Sequence, residues 1–359
     1  MSFRAHKAIA GAAIIMLPGC SNRLDEAPLF DLDRCAAVKL IEEETGSEVV
    51  GAEDLDIDWN AGRVYASAYD RRGAEKAAAN KAASIPAGGI YAIDLNVLRG
   101  AKGALTVRSI ISAGAMKEGL RPHGISFEMN SGAITFINRG YARAGVSWRM
   151  APQIIRIDKA GAITSAAQNP ECSANDLAAI EGRLVVTLDH GSCGWRAAIE
   201  DVFGGRKGRL VDADRMTLLA GIAFANGVVA TGDGRVVVAA TRDKTVIPVR
   251  IDQEGAEAGK KIRVRGAPDN LTLSENGAVV AAVHPSLIAL ALQRRLGIGR
   301  SPSRVVEIDI DSGKERVLFD DPKASLISAA SAAVWSKGAL VIGSALDQGL
   351  VVCLQDAET

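Results

Sequence analysis

The sequence predicts an all-β fold, a six-bladed β-propeller with a few short rim helices. Three observations predict it. One short pattern recurs six times along the chain, and self-similarity at a coarse period is what radially repeated sheets write into a sequence. The chain has 359 residues, enough for two or three ordinary domains, yet nothing in its composition reads as disordered. Its strands are built from Val, Ile, Leu and Ala, with aromatics at only 4% and apolar residues at 48%. A propeller reconciles length with unity because its sheets share faces around a ring.

Each repeat opens on a polar head, runs into an alternating apolar strand, turns at a glycine and returns as a second apolar strand. The first two read Glu53-Asp54-Leu55-Asp56-Ile57 to Gly62 and His123-Gly124-Ile125-Ser126-Phe127 to Gly132. The next two begin Asn175-Asp176-Leu177 and Asn226-Gly227-Val228, turning at Gly182 and Gly234. The fifth begins Asp269-Asn270-Leu271 and turns at Gly277. The sixth, Ala332-Ala333-Val334 to Gly338, keeps the strands and reads as having lost the head.

Residues 1–19 read as a targeting segment: Arg4 and Lys7, an apolar run from Ala8 to Leu17, then Pro18-Gly19-Cys20. The run is too short to span a bilayer. A small residue before Cys20 resembles a bacterial lipobox, which implies cleavage, acylation of Cys20 and membrane attachment without a spanning helix. Ser21 and Asn22 point to the periplasmic face of the outer membrane. An ordinary secretory leader with Cys20 incidental is the plainer alternative. Residues 20–34 read as a tether and 35–359 as the propeller.

Along the propeller, Cys35 to Val50 holds a first strand, and Arg71 to Ser84 reads as a short helix or an excursion off the blade. Gly88–Asn96 and Leu105–Ile111 read as outer strands of the first blade. Arg139 to Met150 reads as a polar loop, and Trp195–Phe203 and Leu287–Leu296 as apolar rim helices. Basic and acidic residues balance at 42 each, with no basic stripe, which argues against nucleic acid.

An oxidising compartment permits disulfides. Cys35, Cys172, Cys193 and Cys353 allow three pairings. In a propeller whose first strand completes the last blade, Cys35–Cys353 would latch the ring, worth on the order of 4 kcal/mol in the chain-entropy model. Cys172 and Cys193 would either staple the third repeat's loops or stay as two buried thiols.

Inner strands run the same way in every blade, so the heads point at one axis. Glu53, His123, Asn175, Asn226, Asp269 and Asn270 would converge there at a cost unless a counter-charge is present. Calcium suits carboxylate and amide oxygens at flexible geometry, and no Cys or His cluster has zinc-ligand spacing. Asp54 and Asp176 would reach deeper. A water-filled polar channel is the plainer alternative.

Glu53-Asp54, Pro122-His123-Gly124-Ile125-Ser126, Asn175-Asp176, Phe224-Ala225-Asn226-Gly227, Asp269-Asn270 and His284-Pro285, in this order, resemble the paraoxonase/arylesterase family. The resemblance covers about residues 35 to 354 and includes Cys35 and Cys353, which match that family's ring-closing disulfide. It implies a propeller with two calcium ions that hydrolyses lactones and aryl esters. Glu53, Asn175, Asn226, Asp269 and Asn270 would hold the catalytic calcium; Asp54, Asp176 and the carbonyl of Ile125 would hold the structural one. His123 matches the active-site histidine, and Asp189, His190 and His284 match polar neighbours. Where the family has a second, relaying histidine, this chain has Arg139, which cannot accept a proton. One rival is a non-catalytic, calcium-stabilised, lipid-anchored propeller acting as a binding or scaffold protein. Another is a related six-bladed hydrolase or synthase of sugar lactones or alkaloid precursors, which shares the fold but not the combination of Asp269-Asn270 with a Cys35–Cys353 latch. No Gly-x-Ser-x-Gly elbow or phosphate loop is present.

Overall fold

The computed structural model describes residues 26–168, 171–252 and 255–355. The leader and Cys20 lie outside the described residues. Among the described residues no helix is long and apolar enough to cross a membrane.

Six blades surround one axis. The first comprises Ala52–Asp58, Arg63–Ala68 and Gly89–Asp94; the second Pro122–Glu128, Ala133–Asn138, Gln153–Ile157 and Ile163–Gln168. The third holds Ala174–Ile180, Arg183–Leu188, Gly208–Asp212 and Thr217–Ile222; the fourth Ala225–Ala230, Arg235–Ala240 and Thr245–Ile251, with short outer pieces. The fifth runs Ala267–Leu273, Val279–His284, Ser303–Ile308 and Glu315–Asp321. The sixth runs Ala330–Ser336, Ala339–Ser344 and Leu350–Leu354, and Cys35–Glu42 completes it from the other end of the chain.

The repeat glycines do what the pattern requires. Gly62, Gly132, Gly182, Gly234, Gly277 and Gly338 all have φ between 62° and 80°, the left-handed region a side chain resists, in the turn from first to second strand.

Apolar residues pack in six wedges, each between two neighbouring blades. Leu177, Val186 and Leu188 of the third blade meet Ile137 of the second; Val237 and Val246 of the fourth meet Val279 and Val306 of the fifth. The alternation of the strands therefore buries both faces of every blade and leaves the axis to polar side chains.

Helix α1 (Arg71–Ala79) starts where the Asp70 carboxylate accepts from Gly73 N at 2.8 Å. Helix α2 (Leu95–Gly100) follows the first blade's third strand and is capped by Asp94. It carries the chain off that blade, which corrects one expectation. Gly103–Val107 pairs in parallel with Cys35–Glu42 on the sixth blade, because that strand offers the open edge where the chain emerges. An isolated bridge of Tyr91 to Ser109, with Ile110 N donating to Ile90 O, returns to the first blade.

Arg139 to Met150 is no irregular loop: Tyr141–Ala144 and Ser147–Met150 form a hairpin, and Trp148 donates to Ala82 O at 2.9 Å. Helices α3 (Trp195–Phe203) and α4 (Leu287–Leu296) form where expected. Their apolar residues are not all packed: Trp195, Phe203 and Ile288 are more than two-thirds exposed. Before Cys35, Leu29 and Phe30 donate to Val317 O and Leu318 O on the fifth blade's outer strand, so the chain is held against the ring before it enters the sixth blade.

Candidate functional site

In all six inner strands the register slips at the polar head. The slips fall between Ala52 and Asp54, Pro122 and Ile125, Ala174 and Leu177, Ala225 and Val228, Pro268 and Leu271, and Ala330 and Ala332. A bulge puts an extra residue into one strand and re-aims its side chains. The heads thereby leave the alternation that buries their neighbours between blades. Gly124 and Gly227 belong to the same device: a Cβ on Gly124 would sit 2.6 Å from Asp176 Cα, and one on Gly227 2.5 Å from Asp269 O. The next inner strand passes too close for any side chain.

The sixth head is not lost. Ser331 stands at that bulge, and its hydroxyl donates to Glu53 O at 2.7 Å. Serine is small and polar at a position where the sequence shows only alanines around it, which is why the pattern missed it.

The predicted ligands come together as buried groups with a consistent polarity. Asn175 Nδ2 donates to Asp189 Oδ2 at 3.2 Å, Asn226 Nδ2 to Asp269 Oδ1 and Asn270 Nδ2 to Glu53 O at 2.9 Å. Each amide nitrogen donates one hydrogen bond, while Oδ1 of all three asparagines has no hydrogen-bond partner, and Glu53 Oε2 has none beyond its close approach to His123. Glu53, Asn175, Asn226, Asp269 and Asn270 are at most 7% exposed. Among the described residues no group of three or more His, Cys, Asp or Glu is placed to hold a metal. The donor set here is of another kind, two carboxylates with three amide oxygens. Unsatisfied buried oxygens without donors ask for a cation.

His123 is fully buried, its Nδ1 2.8 Å from Glu53 Oε2. That contact is close enough to pair charges but is not aligned as a hydrogen bond, since neither atom counts as satisfied. Burial, then the charge of Arg139, pushes the His123 pKa down to about 4 against the pull of Glu53. Burial would raise Glu53, but His123, Arg71 and Arg139 together bring it below the usual carboxylate value. The pair is therefore a neutral imidazole beside an ionised carboxylate. Arg139, at the place expected for a relay, is buried and donates to Ala174 O at 3.1 Å.

His284 is more intimate with the site than the sequence suggested. Its Nε2 lies 2.8 Å from Asp269 Oδ2, so it orients a candidate ligand as partners behind metal ligands do. His190 lies one shell further out, Nδ1 2.6 Å from Asp189 Oδ1 and Nε2 2.9 Å from Asp201 Oδ1.

Deeper in the channel the picture differs. Asp54 accepts from Leu55 N and Ile125 N, and Asp176 from Leu177 N and Val228 N, at 2.7 to 2.9 Å. Each carboxylate thus ties its own blade to the next. Burial raises both well above the usual range, helped for Asp54 by the charges of Asp176 and Glu53. Asp56, which the sequence reading passed over, makes a third such tie, to Phe127 N at 2.6 Å; burial lifts it to about 6. A cavity of about 800 Å³ opens at that end, lined by Trp59, Met129 and Arg183 among others, and none of the unpartnered oxygens belongs to it.

His190 gives a first prediction. Burial would lower its pKa, but the hydrogen bonds and charges of Asp189 and Asp201 raise it to about 9, against about 6.5 unfolded. A pKa raised by folding contributes stability that is whole below pH 6.5 and lost as pH rises through 9. Unfolding free energy should fall across that window by about 2 kcal/mol after allowing for solvent screening. His190→Gln should flatten this part of the denaturation-versus-pH curve; an unchanged slope would refute the assignment.

Cys172–Cys193 and Cys35–Cys353 are both disulfides. The first borders a cleft of about 590 Å³ at the mouth of the channel, lined also by Arg71, Arg139, Asp189, His190 and Arg294.

No family model matches the sequence, and no curated protein matches it either. Solved structures do match in fold. A protein described as a "putative gluconolactonase" aligns at TM-score 0.50 and 14% identity, over 84% of this chain and 88% of its own. A luciferin-regenerating enzyme aligns at TM-score 0.50 and 14% identity, over 86% and 92%. At this identity the likeness is one of fold. Neither description names a paraoxonase.

Proposed function

We propose that the chain is a cation-dependent hydrolase of lactones or aryl esters, working where the inner strands bring Glu53 and His123 together. One observation carries this: the Oδ1 atoms of Asn175, Asn226 and Asn270 are buried without a hydrogen-bond partner while each Nδ2 donates, and Glu53 Oε2 meets only His123 Nδ1. That set fits calcium, which accepts carboxylate and amide oxygens in flexible geometry. Glu53, Asn175, Asn226, Asp269 and Asn270 would hold it, and when bound it would supply Lewis-acid charge for a substrate carbonyl. A second ion on Asp54, Asp176 and the Ile125 carbonyl has less support, because all four carboxylate oxygens there already accept backbone N–H groups.

The chain's own residues divide the remaining work. Glu53 faces His123 Nδ1, which favours the tautomer with its lone pair on Nε2. With a pKa near 4, His123 is a weak base at neutral pH and serves better to accept a hydrogen bond from water and aim it. Arg139 moves no proton; its charge keeps the imidazole neutral. His284 holds Asp269 in place. The fold likeness to a protein described as a gluconolactonase agrees with a lactone substrate, and aryl esters enter through the motif resemblance. Attachment to the bacterial envelope at Cys20 belongs to the same proposal.

The test is pH-stat hydrolysis of short-chain, long-chain and aryl substrates by protein beginning after Cys20, with calcium and then with chelator. Turnover should vanish with chelator and return with calcium. If nothing is turned over while calcium still raises the melting temperature, the enzyme reading is wrong and a cation-stabilised binding propeller remains.

A further inference from the structure

The cleft over the His123 site carries more positive charge than its own carboxylates can use. Arg71 from α1, Arg139 from the end of the second blade's second strand and Arg294 from α4 all line it. Arg139 is 4% exposed, and its buried Nε has no hydrogen-bond partner. The guanidiniums act on one another: the charge of Arg71 first, then burial and Arg139, hold Arg294 down to about 10. Nearby carboxylates are already committed. Glu75 meets Arg71 Nε at 3.2 Å, and Asp189 meets His190 and Asn175. Asp201 is shared among His190, Arg242 and Arg295.

Like charges packed together, one with a buried donor left over, are costly unless an anion joins them. Arginine's planar fork suits an oxyanion held by two parallel N–H groups. The cleft also communicates with the candidate ligands, since Asp189 lines it and accepts from Asn175 Nδ2 at 3.2 Å.

We propose that Arg71, Arg139 and Arg294 bind an anionic oxyacid group of the substrate, a carboxylate or a phosphate, so that the esters and lactones hydrolysed here are anionic ones. The word substrate rests on the hydrolase reading above; the anion site does not. A neutral lactone would leave Arg294 under the charges of Arg71 and Arg139 with no anion of its own. An acidic substituent would quiet that repulsion and place the ring beside His123.

The experiment compares kcat/KM for three matched δ-lactones, bearing a carboxylate, a phosphate or a neutral carboxamide at the same position, in calcium. Calorimetric titration with the ring-opened product of the carboxylate lactone runs alongside. The wild-type protein should prefer one anionic lactone by roughly tenfold or more, the scale of a charge-assisted hydrogen bond, and which one tells carboxylate from phosphate. Arg294→Gln should bring that ratio close to one, and Arg71→Gln should do the same from a different helix. Arg206→Gln is the charge-matched control; its exposed side chain pairs with Asp243 outside the cleft, and the preference should survive. Turnover of all three lactones without preference would overturn the anion site and leave the hydrolase intact. Product binding that Arg294→Gln abolishes, without turnover of any lactone, would uphold the anion site and sink the hydrolase. Neither binding nor turnover would overturn both.

Discussion

Asn270→Ala is expected to cut lactone hydrolysis by about a hundredfold or more, the scale seen when one preorganised electrostatic partner is removed, while the propeller stays folded. The two effects separate because of what each atom of the side chain does. Nδ2 donates to Glu53 O at 2.9 Å, but Ser331 donates to the same oxygen at 2.7 Å, so truncation leaves that carbonyl satisfied. The structural loss is then about 1 kcal/mol. Oδ1 has no partner within the protein, and in the proposed site it is a ligand. Asp269→Ala would confound the two, since it strands both Asn226 Nδ2 and His284 Nε2. The decisive measurement pairs kcat/KM with the calcium-induced rise in melting temperature. Wild-type values of both in Asn270→Ala would remove this residue from the site and with it the ligand set.

The propeller could be read because its repeat is written in residues that act locally: alternating apolar strands and a glycine that must turn at positive φ. The heads could be read because five of them are polar where apolar residues are expected. The bulge could not. Two adjacent polar residues such as Asn175-Asp176 fit an unbroken strand equally well, and only pairing with Thr187 and its neighbours shows one to be extra. Arg71 and Arg294 were invisible for a related reason. On an isolated helix each is an ordinary solvated charge, and only the approach of α1 and α4 over the channel turns them inward. The motif resemblance located His284 near the site but not against Asp269. That contact depends on Ala267 pairing with His284 across the fifth blade, a register that a list of motifs does not contain.

Removing the ring latch should be the most damaging change outside the channel. Cys35 lies directly opposite Cys353 where the first strand completes the sixth blade, closing a loop of 318 residues. The pairing stabilises by limiting the unfolded chain, more for a longer loop. The Cys35→Ser/Cys353→Ser variant should lose about 5 kcal/mol in denaturant unfolding, the upper end for a native disulfide. Antiparallel pairing of residues 35–38 with residues 350–353, and the docking of Leu29 and Phe30 on the fifth blade, keep the seam in register, so the variant should fold. Cys172–Cys193 closes only 21 residues, and its removal should cost about 3 kcal/mol at most. Both of those cysteines border the cleft, so the order should reverse for catalysis. The latch variant should keep kcat/KM near wild type, and the Cys172→Ser/Cys193→Ser variant should lose activity through a raised KM. A latch variant that unfolds at the wild-type midpoint would mean that strand pairing alone closes the ring.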